Sequence, residues 1–335
     1  MTLDRFQLLT QKYPALRLAV VGDFCLDRYL EIDPTHKEIS IETGLPVHNV
    51  VAVRAQPGGA GTILNNLVAL GIGTIYPVGF CGDDGEGYEL RRALTAHPGV
   101  RLDHFLQTTQ RRTFTYCKPL LIESGHPPVE LNRLDSKNWS PTPAAVEDHL
   151  INAITHLAPN LDAMILLGQV DHPETGAITK RLLEAVRTLP KLPVIGDSRR
   201  GLRDWPPVIF KMNAAELAAL TGTAPDADLS HIKQTAAKLS RQNNRPVFVT
   251  LAERGLVGAS PDGAVEHVPS LPLRGPIDIV GAGDSVTANL ATALAAGATL
   301  REALEFAAVA SSIVIHQLGT TGTASVAQIG QLLRP

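Results

Sequence analysis

Five short apolar runs, Leu18–Val21, Met164–Leu167, Val194–Ile195, Val208–Phe210 and Val247–Leu251, alternate with longer stretches of helical periodicity. The helical stretches are Ala145–Leu157, Thr175–Thr188, Ala214–Thr221 and Leu229–Gln242. Runs this short and this apolar are strands buried on both faces. Strands alternating with helices predict an α/β fold: a mostly parallel sheet covered by helices on each side. Ligands of such sheets sit beyond the carboxyl ends of the strands. The informative positions are therefore strand ends such as Gly22–Asp23 and Thr250–Gly255.

Two stretches break the rhythm. Residues 29–54 and about 105–133 show period-2 alternation with pieces such as Thr113-Phe-Thr-Tyr-Cys117. They read as short antiparallel strands of a small β-lid inserted into one domain spanning residues 1–335, or else as surface hairpins. With 44% hydrophobic residues and a mean hydropathy of +0.06, the chain can bury a sizeable core and is too apolar for disorder.

A net charge of −3 gives no electrostatic reason to expect nucleic acid or anionic lipid as partner. No run reaches the length of a membrane span, and Met1–Phe6 lacks the features of a signal peptide. Three scattered cysteines, Cys25, Cys81 and Cys117, argue against a disulfide framework. The expectation is a soluble protein of a reducing cytoplasm.

The strongest chemical signal is Asp278-Ile-Val-Gly281-Ala282-Gly283-Asp284, followed by an Ala/Leu-rich run of helical character. A turn without bulky side chains that opens a helix aims free N–H groups, and the positive end of the helix dipole, at one spot. Such a turn binds an anion, so the negative Asp284 beside it is out of place unless it is a general base. It would accept a proton from an attacking hydroxyl while the amides hold charge on a phosphoryl group.

Three further constellations accompany it. Pro57-Gly58-Gly59-Ala-Gly-Thr62 opens a helix closed by Gly71, which means either close approach of a ligand or tight packing. Asn213 and Glu216, three apart at a helix start, suit Mg²⁺ directly or through its waters, or else form an N-cap with its capping-box partner. Asp23 and Asp27 follow the first strand, where one carboxylate can hold sugar hydroxyls and the other can cap a turn. No Gly-Lys dipeptide of a Walker A loop, no HExxH, no paired CxxC and no early Rossmann glycine pattern is present.

In order and spacing these pieces resemble the ribokinase/PfkB family of carbohydrate kinases. Gly58-Gly59 is similar to its amino-terminal signature, Asp278–Asp284 to its carboxy-terminal one, and Asn213-x-x-Glu216 to its Mg²⁺-associated motif. Val20–Tyr29, Pro57–Ala60, Asp197–Gly201 and Leu318–Thr320 are most similar to the heptose-7-phosphate kinase (RfaE-type) branch. The resemblance implies a ribokinase-like fold and an ATP-dependent kinase acting on a sugar or sugar phosphate.

It implies Asp284 as base, the amides of Gly281, Ala282 and Gly283 as anion hole, and Asp27 as the sugar-binding carboxylate. Gly58, Gly59 and Thr62 would meet the acceptor. Asp278, Thr250 and Gly255 would lie at the nucleotide, and Arg199 or Arg200 would reach its phosphates. It further implies Mg²⁺, room for a monovalent cation, and a homodimer through the lid.

Three positions depart from the pattern. Thr62 stands where the family has a sugar-contacting Asn, Gln169-Val-Asp-His-Pro replaces an Asp-Tyr-x-Lys-Gly segment, and Ala308 replaces an Asn near the adenine. These departures leave two alternatives: a non-catalytic sensor of nucleotide or sugar phosphate, and a nucleoside or vitamin-alcohol kinase of the same fold.

Overall fold

The apolar runs assemble side by side in a nine-stranded sheet of the computed structural model, which describes residues 1–224 and 226–333. Its strands are drawn from β1 (Arg17–Gly22), β2 (Phe24–Ile39), β3 (Pro46–Gly59), β4 (Thr74–Gly82), β5 (Phe105–Thr108), β6 (Phe114–Leu121), β7 (Val129–Glu130) and β8 (Leu134–Ser136). The series continues with β9 (Ala163–Gly168), β10 (Val194–Ser198), β11 (Ile209–Asn213), β12 (Val247–Thr250), β13 (Leu256–Ala259) and β14 (Val265–Val268). The large sheet runs β14-β13-β12-β11-β10-β9-β1-β4-β5, parallel except where β13 pairs with β12 and β14.

The helices are α1 (Leu3–Thr10), α2 (Ala60–Ala69), α3 (Gly85–Thr95), α4 (Ala144–Leu157), α5 (Lys180–Val186), α6 (Ala214–Thr221), α7 (Leu229–Asn243), α8 (Ala282–Ala295), α9 (Leu300–Val314) and α10 (Val326–Leu332). Alternate residues of the central strands feed two cores, one per face. Val20, Ile195, Ile209 and Phe248 pack toward α8 and α9. Val21, Leu166, Phe210 and Val249 pack toward α4 and α7. This period-2 sorting later decides which polar residues reach the site.

Most expected elements form within a residue or two, including α4, α6 and α7. The helix expected over Thr175–Thr188 forms only from Lys180. Its first residues are diverted: the Ala177 N–H goes to Asp23 Oδ1 at 2.6 Å, and the Thr175 carbonyl accepts from buried Arg111 at 2.6 Å.

The second sheet, β3-β2-β6-β7 with β8 on β6, takes in most of the strands expected of the lid but differs in three respects. The β2–β6 pairing is parallel, and β2 and β3 form one long hairpin reaching back to Phe24 and Gly59. Phe105–Thr108, expected in the lid, instead pairs with β4 at the edge of the main sheet. There Phe105 packs edge-on against Phe24, with ring centroids 5.2 Å apart, so core burial outweighs lid membership.

Asp23 holds this arrangement together. Its buried carboxylate accepts the N–H groups of Gln169, Val170 and Ala177 at 2.8, 3.1 and 2.6 Å. Asp23→Ala leaves those donors without a partner and is expected to lower the unfolding free energy by roughly 3–5 kcal/mol. Urea denaturation reads this, and a loss below about 1 kcal/mol would remove Asp23 from the role.

Candidate active site

The first turn of α8 is the centre of the site. Gly281 caps it in the left-handed conformation at φ 81°, where a Cβ would stand 2.6 Å from the Thr321 Cγ2. Among the described residues the N–H groups of Gly281, Gly283 and Asp284 have no backbone acceptor. The Ala282 N–H, expected in the anion hole, is taken by the Ile279 carbonyl at 3.2 Å. The turn's free donors are therefore those around Ala282, at the positive end of a helix of 14 residues.

Asp284 is half-buried in this turn. Burial pushes its carboxyl up to about 7, and the charge of Asp197 acts in the same direction. Lys211 and Arg199 hold it back, and Asp27 adds a smaller upward push. A carboxylate that is half ionised near neutrality suits a general base.

Lys211 is the residue that the sequence motifs left without a role. Its buried ammonium donates to Asp197 Oδ2 at 2.7 Å, and Thr287 Oγ1 of α8 donates to the same oxygen at 2.8 Å. A Cβ at Gly283 would stand 3.1 Å from Lys211 Nζ, so the cation lies against the turn. Burial alone would lower the Lys211 pKa, but the carboxylates of Asp197, Asp284 and Glu216 raise it. A lysine two residues before Asn213, in the period-2 register of a buried strand, was the available signal.

On the lid side of the turn the two aspartates separate. Asp23 is the structural cap described above, whereas Asp27 lies in β2 against Gly58, where a Cβ would meet Asp27 Oδ2 at 2.6 Å. Gly58 thus gives the carboxylate its place, and Gly59 caps α2 at φ 57°. Thr62 is buried in the first turn of α2, and its methyl would lie 3.6 Å from a Cβ at Gly281.

Lys118 Nζ stands 3.3 Å from Asp27 Oδ1 and 3.3 Å from the Tyr29 hydroxyl. Burial pushes the Asp27 carboxyl up, and Lys118 opposes it. Sequence reasoning missed Lys118, because only the parallel β2–β6 pairing brings it to Asp27.

On the other side of the turn a cavity of about 710 Å³ opens between α8, α9 and the loop of residues 270–279. Thr250, Gly255, Asn213, Ala282, Gly283 and Ala308 line it, so the carboxyl ends of β11 and β12 meet the anion turn there. Asp278 is not among its lining residues; its carboxylate accepts the Val280 N–H at 3.0 Å and shapes the turn.

Arg199 lies near enough for its charge to act on both Asp284 and Asp27. With the Gln169 amide oriented to satisfy both groups, Gln169 Oε1 accepts from Arg199 Nε and Nη2 at 3.2 Å each, toward the acceptor. Neither Arg199 nor Arg200 lines the cavity.

Asn213 and Glu216 form a complete capping box. The Asn213 N–H donates to Glu216 Oε2 at 2.7 Å, and the Glu216 N–H donates to Asn213 Oδ1 at 2.8 Å. Among the described residues, no group of three or more His, Cys, Asp or Glu side chains could hold a metal by itself. A Mg²⁺ held mainly by water and phosphate needs only one or two carboxylates, which leaves Glu216 compatible with it.

A parallel sheet whose strand ends face a helix-capped anion turn, with a poised carboxylate between a nucleotide-sized cavity and a β-lid, defines a phosphotransferase-type α/β protein. The pfkB family carbohydrate kinase profile matches residues 16–327, and the chain belongs to that family.

It is 33% identical over 326 residues to the bifunctional protein HldE of Hyphomonas neptunium, covering 95% of this chain and 63% of that protein. For the HldE of Azorhizobium caulinodans the identity is 32% over 305 residues, covering 90% and 61%. The chain thus spans less than two thirds of the length of these relatives. Among solved structures, Arabidopsis thaliana ribokinase with ribose and ATP superposes with a TM-score of 0.69 at 22% identity, covering 96% of this chain and 99% of that one. Escherichia coli phosphofructokinase-2 with fructose-6-phosphate gives 0.71 at 17%, covering 95% and 98%. Both share the fold.

A base with a pKa of about 7 makes turnover fall about tenfold per pH unit below that value. Lys211→Met removes a cation that holds Asp284 down and should move this acid limb to higher pH. The folded state favours neutral Asp284, so the stability contribution is full at low pH and lost as pH rises through about 7. Asp284→Asn should therefore be inactive and yet melt above the wild type at pH of about 8, as a site that trades stability for function does. A mutant that retained turnover would remove Asp284 as base.

Proposed function

We propose that the chain transfers the terminal phosphoryl group of ATP to a hydroxyl of a phosphorylated sugar, with Asp284 as general base. The observation that carries this reading is the half-buried Asp284 in the anion turn, its carboxyl poised at about 7. The cavity lined by Thr250, Gly255 and Ala308 takes the nucleotide, with its phosphates toward Gly283. The acceptor lies between Asp27 and Asp284 under the lid.

As the acceptor oxygen bonds to phosphorus, its proton passes to Asp284 and the bond from phosphorus to the leaving oxygen of ADP breaks. The free N–H groups of the α8 turn and the Lys211 ammonium stabilise the charge that moves. Lid closure excludes water, which would otherwise compete as acceptor.

When bound, Mg²⁺ neutralises phosphate oxygens. Glu216 would hold it through its waters with Oε1, its Oε2 being engaged in the capping box, and the remaining lone pair of Asn213 Oδ1 would accept from those waters. A monovalent cation would add to that neutralisation.

A phosphorylated acceptor is favoured by the cations around Asp27. Lys118 sits 3.3 Å from it, and Arg133 and Lys137 lie over the Tyr116 ring at 5.0 and 5.9 Å. Tyr116 is the ladder partner of Asp27 on β6, and Arg199 approaches through Gln169. Asp27, Asp135 and Asp171 pair with three of these four cations, and the positive charge left over suits a phosphate better than a neutral sugar.

The lid also exposes Val50, Val51 and Val53 of β3, and Ile39 and Leu45 near its hairpin end. We assign this apolar surface to pairing with the lid of a second copy.

ADP release with a panel of free sugars and sugar phosphates, in K⁺ and in tetramethylammonium salts, tests the reading. Acceptor-dependent release is expected with sugar phosphates, at a kcat/KM at least about tenfold above the free sugars. Lys118→Met should reduce that preference, and absence of release across the panel would favour a non-catalytic sensor. Sedimentation reads the pairing: the Val51→Lys, Val53→Lys double variant is expected to be monomeric, and an unchanged mass would exclude this surface.

A further inference from the structure

We propose that Gln56 is a positioning residue that locks the acceptor wall of the site to the phosphoryl turn. It does so by clasping the loop of residues 317–323 with both ends of its side-chain amide. This inference rests on the kinase reading above for its kinetic consequence but not for its structural one.

Gln56 lies in β3 directly opposite Asp27, one residue before Pro57-Gly58. It therefore moves with the acceptor carboxylate. Its half-buried side chain crosses to the other end of the chain. Nε2 donates to Thr321 Oγ1 at 3.1 Å, and Oε1 accepts from Thr320 Oγ1 at 3.4 Å. An amide with both ends engaged has little rotational freedom left.

The loop it holds is itself closed. Gln317 Oε1 accepts the Thr323 N–H at 3.1 Å, and Gln317 Nε2 donates to the Thr323 carbonyl at 2.7 Å. Thr321 then bears on the turn, with its methyl 2.6 Å from where a Cβ at Gly281 would be. Thr62 stands close to the same point, at 3.6 Å. Gly281 is the cap of α8 and sits three residues before Asp284.

The physical connection thus runs from Asp27 across the β2–β3 ladder to Gln56, then through Thr321 to Gly281 and Asp284. A shift of the lid base relative to α8 must either break the clasp or displace the turn. Because coupling between two sites is reciprocal, nucleotide on the turn should order the lid base as much as acceptor at Asp27 orders the turn. The amide is 264 and 265 residues from the two hydroxyls in sequence, which is why no local pattern marks them.

Hydrogen–deuterium exchange with the non-hydrolysable analogue AMP-PNP tests the clasp without an acceptor. In the wild type the analogue is expected to slow exchange over residues 24–32 and 53–58, beyond the turn itself. Thr321→Val keeps the shape and loses the acceptor oxygen, and Gln56→Leu removes the amide. Both should lose the lid-base protection while the turn over residues 279–286 stays protected. Thr321→Ser keeps the oxygen for Gln56 but loses the methyl against Gly281, so it should retain only part of the lid-base protection.

With the best acceptor of the sugar-phosphate panel, Thr321→Val should lower kcat/KM by about tenfold, with AMP-PNP affinity unchanged. Equal lid-base protection in wild type and Thr321→Val, or none in wild type, would overturn the clasp. A wild type inactive on every acceptor would instead count against the kinase reading, and the exchange result would still decide the clasp.

Discussion

The buried ion pair of Lys211 with Asp197 is the interaction on which the rest of the site depends. Three carboxylates, those of Asp197, Asp284 and Glu216, act on one ammonium at the inner end of the α8 turn. Without that cation, the carboxylates would repel one another at the mouth of the α8 turn. Burying an ion pair costs several kcal/mol, recovered only when the remaining hydrogen-bonding capacity is met. Here Thr287 supplies the second bond to Asp197 from α8 itself, so the helix is fastened to the sheet by the same oxygen that fixes the lysine.

Sheet register makes the pair possible. Ile195 pairs with Ile209 and Gly196 with Phe210 along the parallel β10–β11 edge, so Asp197 and Lys211 follow side by side. Ile195 and Ile209 face the α8/α9 core, and residues two further along face the same way. Thr250 follows Phe248 to that face by the same rule and reaches the cavity. The chemistry is therefore the polar continuation of an apolar stripe, beginning where the strands outrun their core.

This rule also separates what the sequence made legible from what it did not. The apolar runs, the glycine-rich turn and Asp284 each carry a local signature: continuous burial, missing Cβ atoms, and a charge at a helix start. Asn213 and Glu216 were legible as two alternatives, and the capping box is present without excluding a water-mediated cation. The roles of Asp23 and Asp27 could not be told apart, because the donors that claim Asp23 belong to residues 169–177.

The same diversion shortened the helix expected from Thr175. Lys118 reaches Asp27 only through a parallel pairing that no short-range pattern encodes. The Ala282 N–H, counted from sequence as a free donor, is spent on a turn to Ile279 whose geometry depends on Asp278.

The contrast between the two halves of the site follows from how each is built. The phosphoryl end is made by strand ends of one sheet and one helix, all constrained by a core that tolerates few alternatives. The lid side is made by β2, β3 and β6; the outer residues of β2 and β3 are exposed and answer to no core, whereas β6 is buried or half-buried along its length. Lys118, Arg133 and Lys137 gather around Tyr116 and Asp27 there, outside the strand register that fixes Asp284. A lid so free in composition can still serve chemistry that tolerates little misplacement only if something ties it to the turn. The bonds from Gln56 to Thr320 and Thr321 make that tie at the one ladder position opposite Asp27.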